Sequence, residues 1–244
     1  MKKLCILASV ALMGITSANA QARIGLIGGV NLNNQLDHYQ GETTSNQLKT
    51  GWHIGMLNEF CIAPNWTIQP GVMYILKGGE QQRSATYMAN DGMHDVKIKD
   101  KMSLHYIEVP VTLNYRIKAG SGHVMIGAGG YVSGLVSAYT NYKYKESLNG
   151  NELDIPNSSG TKHLKVGDHR EDDLRRWDFG VTGLIGYEFH NGFFLRGAVD
   201  AGLQDIVKAN NTYGFASSLP STAGADPTSK NISYLFSIGY YFAH

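Results

Sequence analysis

The chain has 244 residues, of which 43% are hydrophobic, 17% charged and 10% aromatic, with 29 Gly and 6 Pro. Its 21 Lys and Arg residues against 20 Asp and Glu residues leave no basic field to neutralise phosphates, so no nucleic-acid partner is expected. This apolar and aromatic content excludes a disordered chain, and abundant Gly with low charge disfavours a coiled coil. The composition predicts a folded, Gly-rich β protein of one large or two small domains.

The first twenty residues have the pattern of an export leader. Residues 2–3 are positively charged, residues 4–15 are apolar, and Ala18-Asn19-Ala20 is a small-residue cleavage site. We therefore expect a signal peptide over residues 1–20, cleaved after Ala20, and a single outer-membrane barrel domain over residues 21–244. No later apolar stretch is long enough for a transmembrane helix.

Beyond the leader, apolar residues alternate with small or polar residues, which is the pattern of a β-strand between an apolar and a polar medium. In residues 103–117, for example, Ile107 and Val109 alternate with Glu108 and Pro110. The pattern predicts eight strands, over residues 23–32, 50–62, 66–77, 103–117, 123–138, 175–189, 193–203 and 231–242.

The connections between these segments alternate in length. Three are short, at residues 63–65, 118–122 and 190–192, and four are long, at residues 33–49, 78–102, 139–174 and 204–230. An even number of strands with short turns at one end and long loops at the other is typical of an outer-membrane barrel. The sequence therefore predicts an all-β fold, an eight-stranded antiparallel up-and-down transmembrane β-barrel of OmpA/OmpX-like architecture, with its long loops outside the cell.

The two faces of the predicted strands suit such a barrel. The apolar faces would meet lipid, and the polar faces would bring charges of both signs into a lumen just wide enough for side chains. We therefore expect an ionic, hydrogen-bonded lumen and no open pore. The expected lumen network is Glu59, Glu108, Arg116, Arg176, Asp178, Glu188, Arg196 and Asp200. The expected aromatic girdle at the membrane interfaces is Trp52, Trp66, Tyr115, Trp177, Tyr187, Phe193, Tyr240 and Phe242.

Several stretches of the sequence carry a resemblance to a known family. They are Gly25-Leu26-Ile27-Gly28-Gly29-Val30-Asn31-Leu32, Ile68-Gln69-Pro70-Gly71-Val72-Met73-Tyr74, Tyr106-Ile107-Glu108-Val109-Pro110-Val111 and the closing Gly239-Tyr240-Tyr241-Phe242. Over the whole mature chain the sequence resembles the PorT-like outer-membrane β-barrel family of the Bacteroidota. The resemblance implies an eight-stranded barrel that the barrel assembly machinery inserts into the outer membrane. Some members of this family serve a type IX secretion apparatus. The resemblance does not decide whether this chain has that role.

Motifs for catalysis and cofactor binding are weak. The glycines at residues 25–29 and 127–130 lack the spacing and the following helix of a dinucleotide loop, so no cofactor is expected. Two long loops hold the candidates for a hydrolytic site at the rim, which are Asp91, His94, Asp95, His169 and Asp172. The third long loop also contains six potential cation ligands close together in sequence, which are His163, Asp168, His169, Glu171, Asp172 and Asp173. A solvated charged loop is the favoured interpretation, so no metal site is expected.

The leading hypothesis is a monomeric, non-enzymatic outer-membrane barrel that binds through its four long loops or is a structural component of the membrane. Its expected partners are outer-membrane lipid and the assembly machinery, with an envelope or secretion protein as a further possibility. Three alternatives stay open: an accessory subunit of a type IX secretion-like export apparatus, an enzyme at the rim, and a soluble exported lipocalin-like barrel. The last predicts the opposite polarity, with apolar residues inside.

Overall fold

The computed structural model describes residues 22–39, 42–45, 47–156, 158–167, 169, 172–206 and 228–242. The signal peptide expected over residues 1–20 lies outside the described residues, as does most of the fourth long connection. Within the described part the chain forms twelve strands, which are β1 (Ala22–Tyr39), β2 (Glu42–Ser45), β3 (Lys49–Ala63), β4 (Trp66–Lys77), β5 (Glu80–Ala89), β6 (Gly92–Ala119), β7 (Gly122–Leu148), β8 (Asn151–Glu152), β9 (Ser159–His163), β10 (Trp177–Glu188), β11 (Phe193–Gly202) and β12 (Thr228–Phe242). No helix in this part of the chain is long and apolar enough to cross a membrane.

Eight of these strands form a ring, and we call them the barrel strands: β1, β3, β4, β6, β7, β10, β11 and β12. Each barrel strand pairs antiparallel with the barrel strand before it and the one after it in the chain. The last barrel strand pairs with the first, with Ile24 opposite Phe242, and this pairing closes the ring. The predicted eight-stranded antiparallel up-and-down barrel is confirmed. A closed sheet leaves no unpaired edge along the barrel strands.

The alternation along each strand becomes an alternation between the outside of the ring and its lumen. Ile54 and Ile238 face outward with 59% and 60% of their surface exposed, whereas Lys77 and Glu108 face inward and are fully buried. A polar lumen inside an apolar outer surface is the arrangement of a membrane barrel and the reverse of a soluble ligand-binding barrel. The lipocalin-like alternative is therefore wrong.

Tight turns close one end of the ring, which we call the turn end. They span residues 64–65, 120–121 and 189–192. Asn65, Gly120 and Gly192 each adopt a positive φ in these turns, at 66°, 60° and 86°. Glycine and asparagine tolerate this conformation best, which explains why the sequence can reverse so sharply there. The prediction of short connections at these three places is confirmed.

At the opposite end the interpretation of residues 78–102 and 139–174 as loops is wrong, because much of both is β-sheet. β6 begins at Gly92 and β7 continues to Leu148, and these extensions pair with each other and with β5, β8 and β9. We call this sheet the blade. A smaller extension carries β1 to Tyr39 beside β2, within the first predicted loop. The alternation of apolar and polar residues did not reveal these strands, because neither face of a blade in water needs to be apolar.

Several glycines on the inward face make room for large side chains. A Cβ atom on Gly25 would lie 2.7 Å from the ring of Tyr241, which is its direct cross-strand partner. A Cβ atom on Gly239 would overlap the ring of Phe194. Glycines of this kind are packing glycines, and they let a narrow lumen hold aromatic rings.

Candidate functional site

The lumen holds two groups of charged side chains, and the first lies near the turn end. It consists of Arg23, Glu59, Arg116 and Glu188. Arg23 pairs with Glu59 and lies 2.5 Å from Glu188. Arg116 lies 3.0 Å from Glu188 and 3.5 Å from Glu59. The guanidinium of Arg23 also stacks on the ring of Tyr241, at 4.5 Å from its centroid. Two cations and two carboxylates balance one another, so this group fills the turn end without net charge.

The second group lies deeper in the lumen around a buried ion pair. The Nζ atom of Lys77 lies 2.6 Å from Oε2 of Glu108, which also accepts a 2.7 Å hydrogen bond from the Ser133 hydroxyl. The same Nζ atom lies 4.2 Å from the ring centroid of Tyr131, within the range of a cation–π contact. Because both charges are withdrawn from water, each depends on the other for the solvation it has lost.

Three more of the predicted lumen residues, Asp178, Arg196 and Asp200, are buried in this region. Asp178 accepts a 2.9 Å hydrogen bond from the side-chain amide of Asn231. Arg196 donates a 3.1 Å hydrogen bond to Gln69. These three side chains therefore face the lumen, as the alternation predicts. Their hydrogen-bond partners include side-chain amides as well as ions.

Arg176 does not join the lumen network, and the prediction for this residue is wrong. Its side chain is exposed and donates a 3.2 Å hydrogen bond to the carbonyl of Val166. The sequence predicts a strand from residue 175, but β10 begins only at Trp177. Residue 176 lies outside the strand, so the alternation does not fix the direction of its side chain. Sequence reasoning also left out Arg23 and Lys77, although both stand on the polar faces of predicted strands.

Packed side chains occupy the lumen. A cavity of about 10 Å³ lies beside Glu108, Arg196 and Asp200, which is room for about one water molecule. An eight-stranded barrel is only just wide enough to be filled by side chains, and here large and charged side chains do so. The chemistry of this region is therefore that of a paired, ionic protein interior.

Aromatic side chains form a band on the outward face toward the turn end. The members of this band that the sequence predicted are Trp66, Tyr115, Tyr187, Phe193, Tyr240 and Phe242. Trp66 packs on Tyr115 with ring centroids 4.9 Å apart, and Phe193 packs on Tyr240 at 5.0 Å. Trp177 lies at the opposite end of the barrel, at the first position of β10.

A second aromatic group, which we call the upper aromatic chain, lies toward the blade. Predicted Trp52 lies 5.3 Å from Tyr74, measured between ring centroids, and Tyr74 lies 5.9 Å from His105. His105 lies 5.4 Å from Tyr139, which lies 6.1 Å from His163. Sequence reasoning missed Tyr74, His105 and Tyr139. Their aromatic type was visible, but their contacts depend on pairing between distant strands.

The tip of the blade holds a hydrogen-bonded group around His94, which we call the tip group. Nε2 of His94 lies 2.9 Å from Asp91, and Nδ1 lies 2.7 Å from Glu146. Tyr87 stacks on His94 with ring centroids 5.0 Å apart and donates a 3.0 Å hydrogen bond to Glu146. Tyr144 donates a 2.7 Å hydrogen bond to the other oxygen of Glu146. These contacts join β5, β6 and β7 at their far ends.

These hydrogen bonds shift the titration of the tip group. The bonds to Asp91 and then to Glu146 raise the pKa of His94 above 6.5. The bonds from Tyr144, His94 and Tyr87 lower the pKa of Glu146 below 4.5, and the bond to His94 lowers the pKa of Asp91. The bond to Glu146 also raises the pKa of Tyr144 to about 12. In the interval between the carboxyl pKa values and that of His94, the imidazole is therefore protonated, and it is paired with the charged carboxylates of Asp91 and Glu146.

Two of the three blade residues suggested for a hydrolytic rim site meet in the tip group, namely Asp91 and His94. Asp95 lies on the other face of the strand, where it accepts a 2.6 Å hydrogen bond from Thr86. In the tip group each ring nitrogen of His94 already faces a carboxylate, so the imidazole is held between two anions. That arrangement suits a structural clamp.

His169 and Asp172, the other two rim candidates, lie in a different place. The backbone N–H of His169 donates a 2.7 Å hydrogen bond to Asp172. Their loop is anchored to the barrel by a backbone hydrogen bond to Ala138, whereas His94 lies opposite Leu148, ten residues farther along β7. At about 3.3 Å per residue this separation is roughly 30 Å. The structure therefore does not bring the five rim candidates together.

The structure describes four of the six candidate cation ligands of the same loop, and it does not bring these four together. Asp173 accepts a 2.8 Å hydrogen bond from the backbone N–H of Lys165, and His163 belongs to the upper aromatic chain. Asp168 and Glu171 lie outside the described residues. Among the residues that the structure describes, no group of three or more His, Cys, Asp or Glu side chains is arranged to hold a metal ion.

The comparison with family models agrees with this architecture. The model of the family described as outer membrane protein beta-barrel domain matches residues 17–208. The chain is similar to the outer membrane protein OprG of Pseudomonas aeruginosa, with a TM-score of 0.40 and 12% identity over 92% of this chain and 98% of that one. It is also similar to Ail, the attachment invasion locus protein of Yersinia pestis, with a TM-score of 0.35 and 12% identity over 91% of this chain and 99% of that one. A comparison with curated proteins found no match.

Proposed function

Because the chain belongs to the family of outer membrane protein β-barrel domains, we propose that it is a non-enzymatic barrel that works outside the cell through its blade. The proposal includes export by the leader over residues 1–20, cleavage after Ala20, and insertion as a monomer by the barrel assembly machinery. The observation that carries it is the contrast between a lumen filled with paired charges and a blade that extends about ten residues beyond the barrel.

The orientation follows from the two ends of the barrel. Outer-membrane barrels keep short turns in the periplasm and carry their long connections outside. The turn end has connections of two to four residues, and the blade lies at the other end. In the proposed orientation the blade lies on the cell surface, where it is available to large partners.

The tip of the blade has the chemistry of a contact surface. Tyr87, Met88 and Met93 keep 48%, 76% and 42% of their surface exposed. Tyrosine and methionine are enriched in protein interfaces, and exposed apolar side chains clustered on a rigid support favour binding. The tip group, which includes Tyr87, supplies that rigidity, because it cross-links the three strands on the face opposite Met88 and Met93.

Surface display is tested by labelling cysteines in intact cells with a membrane-impermeant maleimide. Asn90→Cys places a thiol in the β5–β6 turn, and Ser121→Cys places one at the turn end, each in a Cys61→Ser background because Cys61 is exposed. We expect labelling of Asn90→Cys in intact cells and of Ser121→Cys only after lysis. The reverse pattern would contradict the proposed orientation.

Binding by the tip is tested by comparing the adhesion of cells to a panel of immobilised glycans and matrix proteins. The triple variant Tyr87→Ala, Met88→Ala, Met93→Ala should lose adhesion that the wild type shows. Leu153→Ala is the matched control, since Leu153 is an exposed apolar residue just after β8. Two results together would instead favour a transport function. The wild type would show ion-channel steps in planar bilayers, and the triple variant would adhere as well as the wild type.

A second candidate is an accessory subunit of a type IX secretion-like export apparatus. Its support is the resemblance of residues 25–32 and 106–111 to the PorT-like family. Such a subunit should copurify with periplasmic or membrane partners after cross-linking in cells. A barrel recovered alone under those conditions, with adhesion dependent on the tip, would decide for the first candidate.

A further inference from the structure

Five lysines lie on one face of the blade, and we call this the lysine face. They are Lys97, Lys99 and Lys101 on β6 and Lys143 and Lys145 on β7. In an antiparallel pair, directly opposite residues share a face, and alternate residues along a strand do so as well. Lys97 lies opposite Lys145, and Lys99 lies opposite Lys143. All five are exposed.

This arrangement is unfavourable for the isolated protein. Like charges directly opposite each other destabilise a sheet, and the lysine face has two such pairs side by side. Lys99 is paired with Glu80 at 2.6 Å, and Lys145 with Glu152 at 2.5 Å. No carboxylate of the described residues forms an ion pair with Lys97, Lys101 or Lys143. Five lysines share this face with three carboxylates, those of Glu80, Asp95 and Glu152, so positive charge exceeds negative charge, which suits an anionic ligand.

The lysine face continues the outward, lipid-facing side of the barrel. Lys99 and Lys101 lie an even number of residues from His105 along β6, and Lys143 lies four residues from Tyr139 along β7, so each set shares one face of its strand. His105 and Tyr139 both belong to the upper aromatic chain, which marks the level where the apolar outer surface ends. The lysines lie four to eight residues beyond His105, or roughly 13–26 Å farther along the strand. They therefore stand above the lipid surface, with Lys101 nearest to it, and face away from the barrel axis.

The rest of this face is polar in a way that suits sugars and phosphates. Besides the carboxylates of Glu80, Asp95 and Glu152, this face carries exposed hydroxyls and amides, namely Gln82, Ser84, Asn141, Ser159 and Thr161. Thr161 donates a 2.6 Å hydrogen bond to Asn141, which confirms that β9 presents these side chains to the same side. Lysine binds phosphate as a compact point charge, and hydroxyls and amides bind sugar hydroxyls.

We propose that the lysine face binds the phosphate groups of phosphorylated glycolipids in the outer leaflet around the barrel. The charge excess selects an anion, and the position above the aromatic residues on the lipid-facing side selects a membrane-bound source. The opposite face and the tip stay free for the partner of the blade. The inference rests on the proposed orientation of the barrel, with the blade outside.

The test measures binding of fluorescent bisphosphorylated lipid A to the full-length mature protein, refolded in zwitterionic detergent. The same glycolipid without phosphates is the second arm, and soluble heparin is the third. The variant Lys97→Gln/Lys143→Gln removes two of the lysines that form no ion pair with a carboxylate of the described residues. The matched control Lys162→Gln/Lys165→Gln removes two lysines of the same end of the protein that lie outside the lysine face. A shift in gel mobility on heating checks that each variant is folded.

We expect the wild type and the control to bind the bisphosphorylated form about tenfold more tightly than the form without phosphates, and Lys97→Gln/Lys143→Gln to lose most of that preference. The preference should also weaken as salt is added. Equal binding by the two double variants would overturn the proposal. Binding of heparin with no preference for the phosphorylated glycolipid would also overturn it and would assign the face to a soluble polyanion. A wild type that fails to fold as a heat-sensitive barrel would instead overturn the proposed function.

Discussion

At the scale of single residues, the lumen is notable for charges that depend on partners far away in sequence. Arg23 meets Glu188 across 165 positions, and Lys77 meets Glu108 across 31. Removing one partner of a buried pair leaves a charge without water or counter-ion, which costs more than the pair itself contributes. The lumen charges should therefore be sensitive to single substitutions and tolerant of paired ones.

Lys77→Met should destabilise the barrel by about 3–5 kcal/mol, because it leaves Glu108 buried and unpaired. The measurement is the urea concentration at which the fast-migrating folded band is lost on a gel. The double variant Lys77→Met/Glu108→Gln should recover much of the loss, since it removes both charges. A single variant as stable as the wild type would show that water or another cation reaches Glu108.

Gly239→Ala should destabilise the barrel by about 1–3 kcal/mol, because the added methyl group overlaps the ring of Phe194 in a packed lumen. Gly183→Ala is the matched control, since a Cβ atom there meets nothing within 4 Å. Both changes lie in barrel strands, so a difference in urea midpoint reports on lumen packing. Equal midpoints would mean that the lumen can expand around Phe194.

The direction of most lumen side chains could be predicted from sequence, whereas their contacts could not. Period-two alternation alone points Glu59, Glu108 and Asp178 inward, because each strand separates a polar from an apolar medium. Which charges meet depends on the stagger between strands, which no single strand encodes. Arg176 shows the other limit, because alternation does not say where a strand begins.

At the scale of elements, the blade was the least predictable part of the chain. Residues 92–102 do alternate, but Val96 and Ile98 face one side and Lys97 and Lys99 the other, and both sides meet water. Such a segment has the composition of a loop, and only its pairing with β5 and β7 holds it extended. The barrel strands were recognisable because lipid requires a continuous apolar face.

The tip group should make the end of the blade sensitive to pH. The raised pKa of His94 means that its protonated form stabilises the tip, fully below pH 6.5, and that this contribution is lost as the pH rises through the raised value. The lowered pKa of Glu146 means that its contribution is present above pH 4.5 and is lost as the pH falls through the lowered value. The protection of the β5 and β6 amides, which is their hydrogen exchange corrected for its intrinsic dependence on pH, should therefore be greatest between these limits.

The variant His94→Gln separates this effect from a general effect of pH. It should keep the fold of the barrel and remove the alkaline increase in exchange that exceeds the intrinsic effect of pH. Exchange in the barrel strands supplies the internal reference, because their amides lie far from the tip. An unchanged alkaline increase in His94→Gln would show that another group controls the tip.

At the scale of the whole molecule, the number of barrel strands and their topology could be predicted from the sequence. Eight apolar faces and three tight turns predicted an up-and-down barrel, and the pairing of β1 with β12 completes it. The placement of Asn65 and Gly192 in turns with positive φ explains why the short connections were visible. The family match is consistent with the same architecture and does not identify a ligand.

The central claim is that this chain forms a closed barrel in the outer membrane with a filled lumen, so that its function lies on the outside. The most direct test is to express the protein with its leader, isolate outer membranes, and compare unheated and boiled samples on a denaturing gel. We predict a membrane-bound protein whose unheated form migrates faster than the boiled form. A soluble periplasmic product with no shift on heating would contradict the claim.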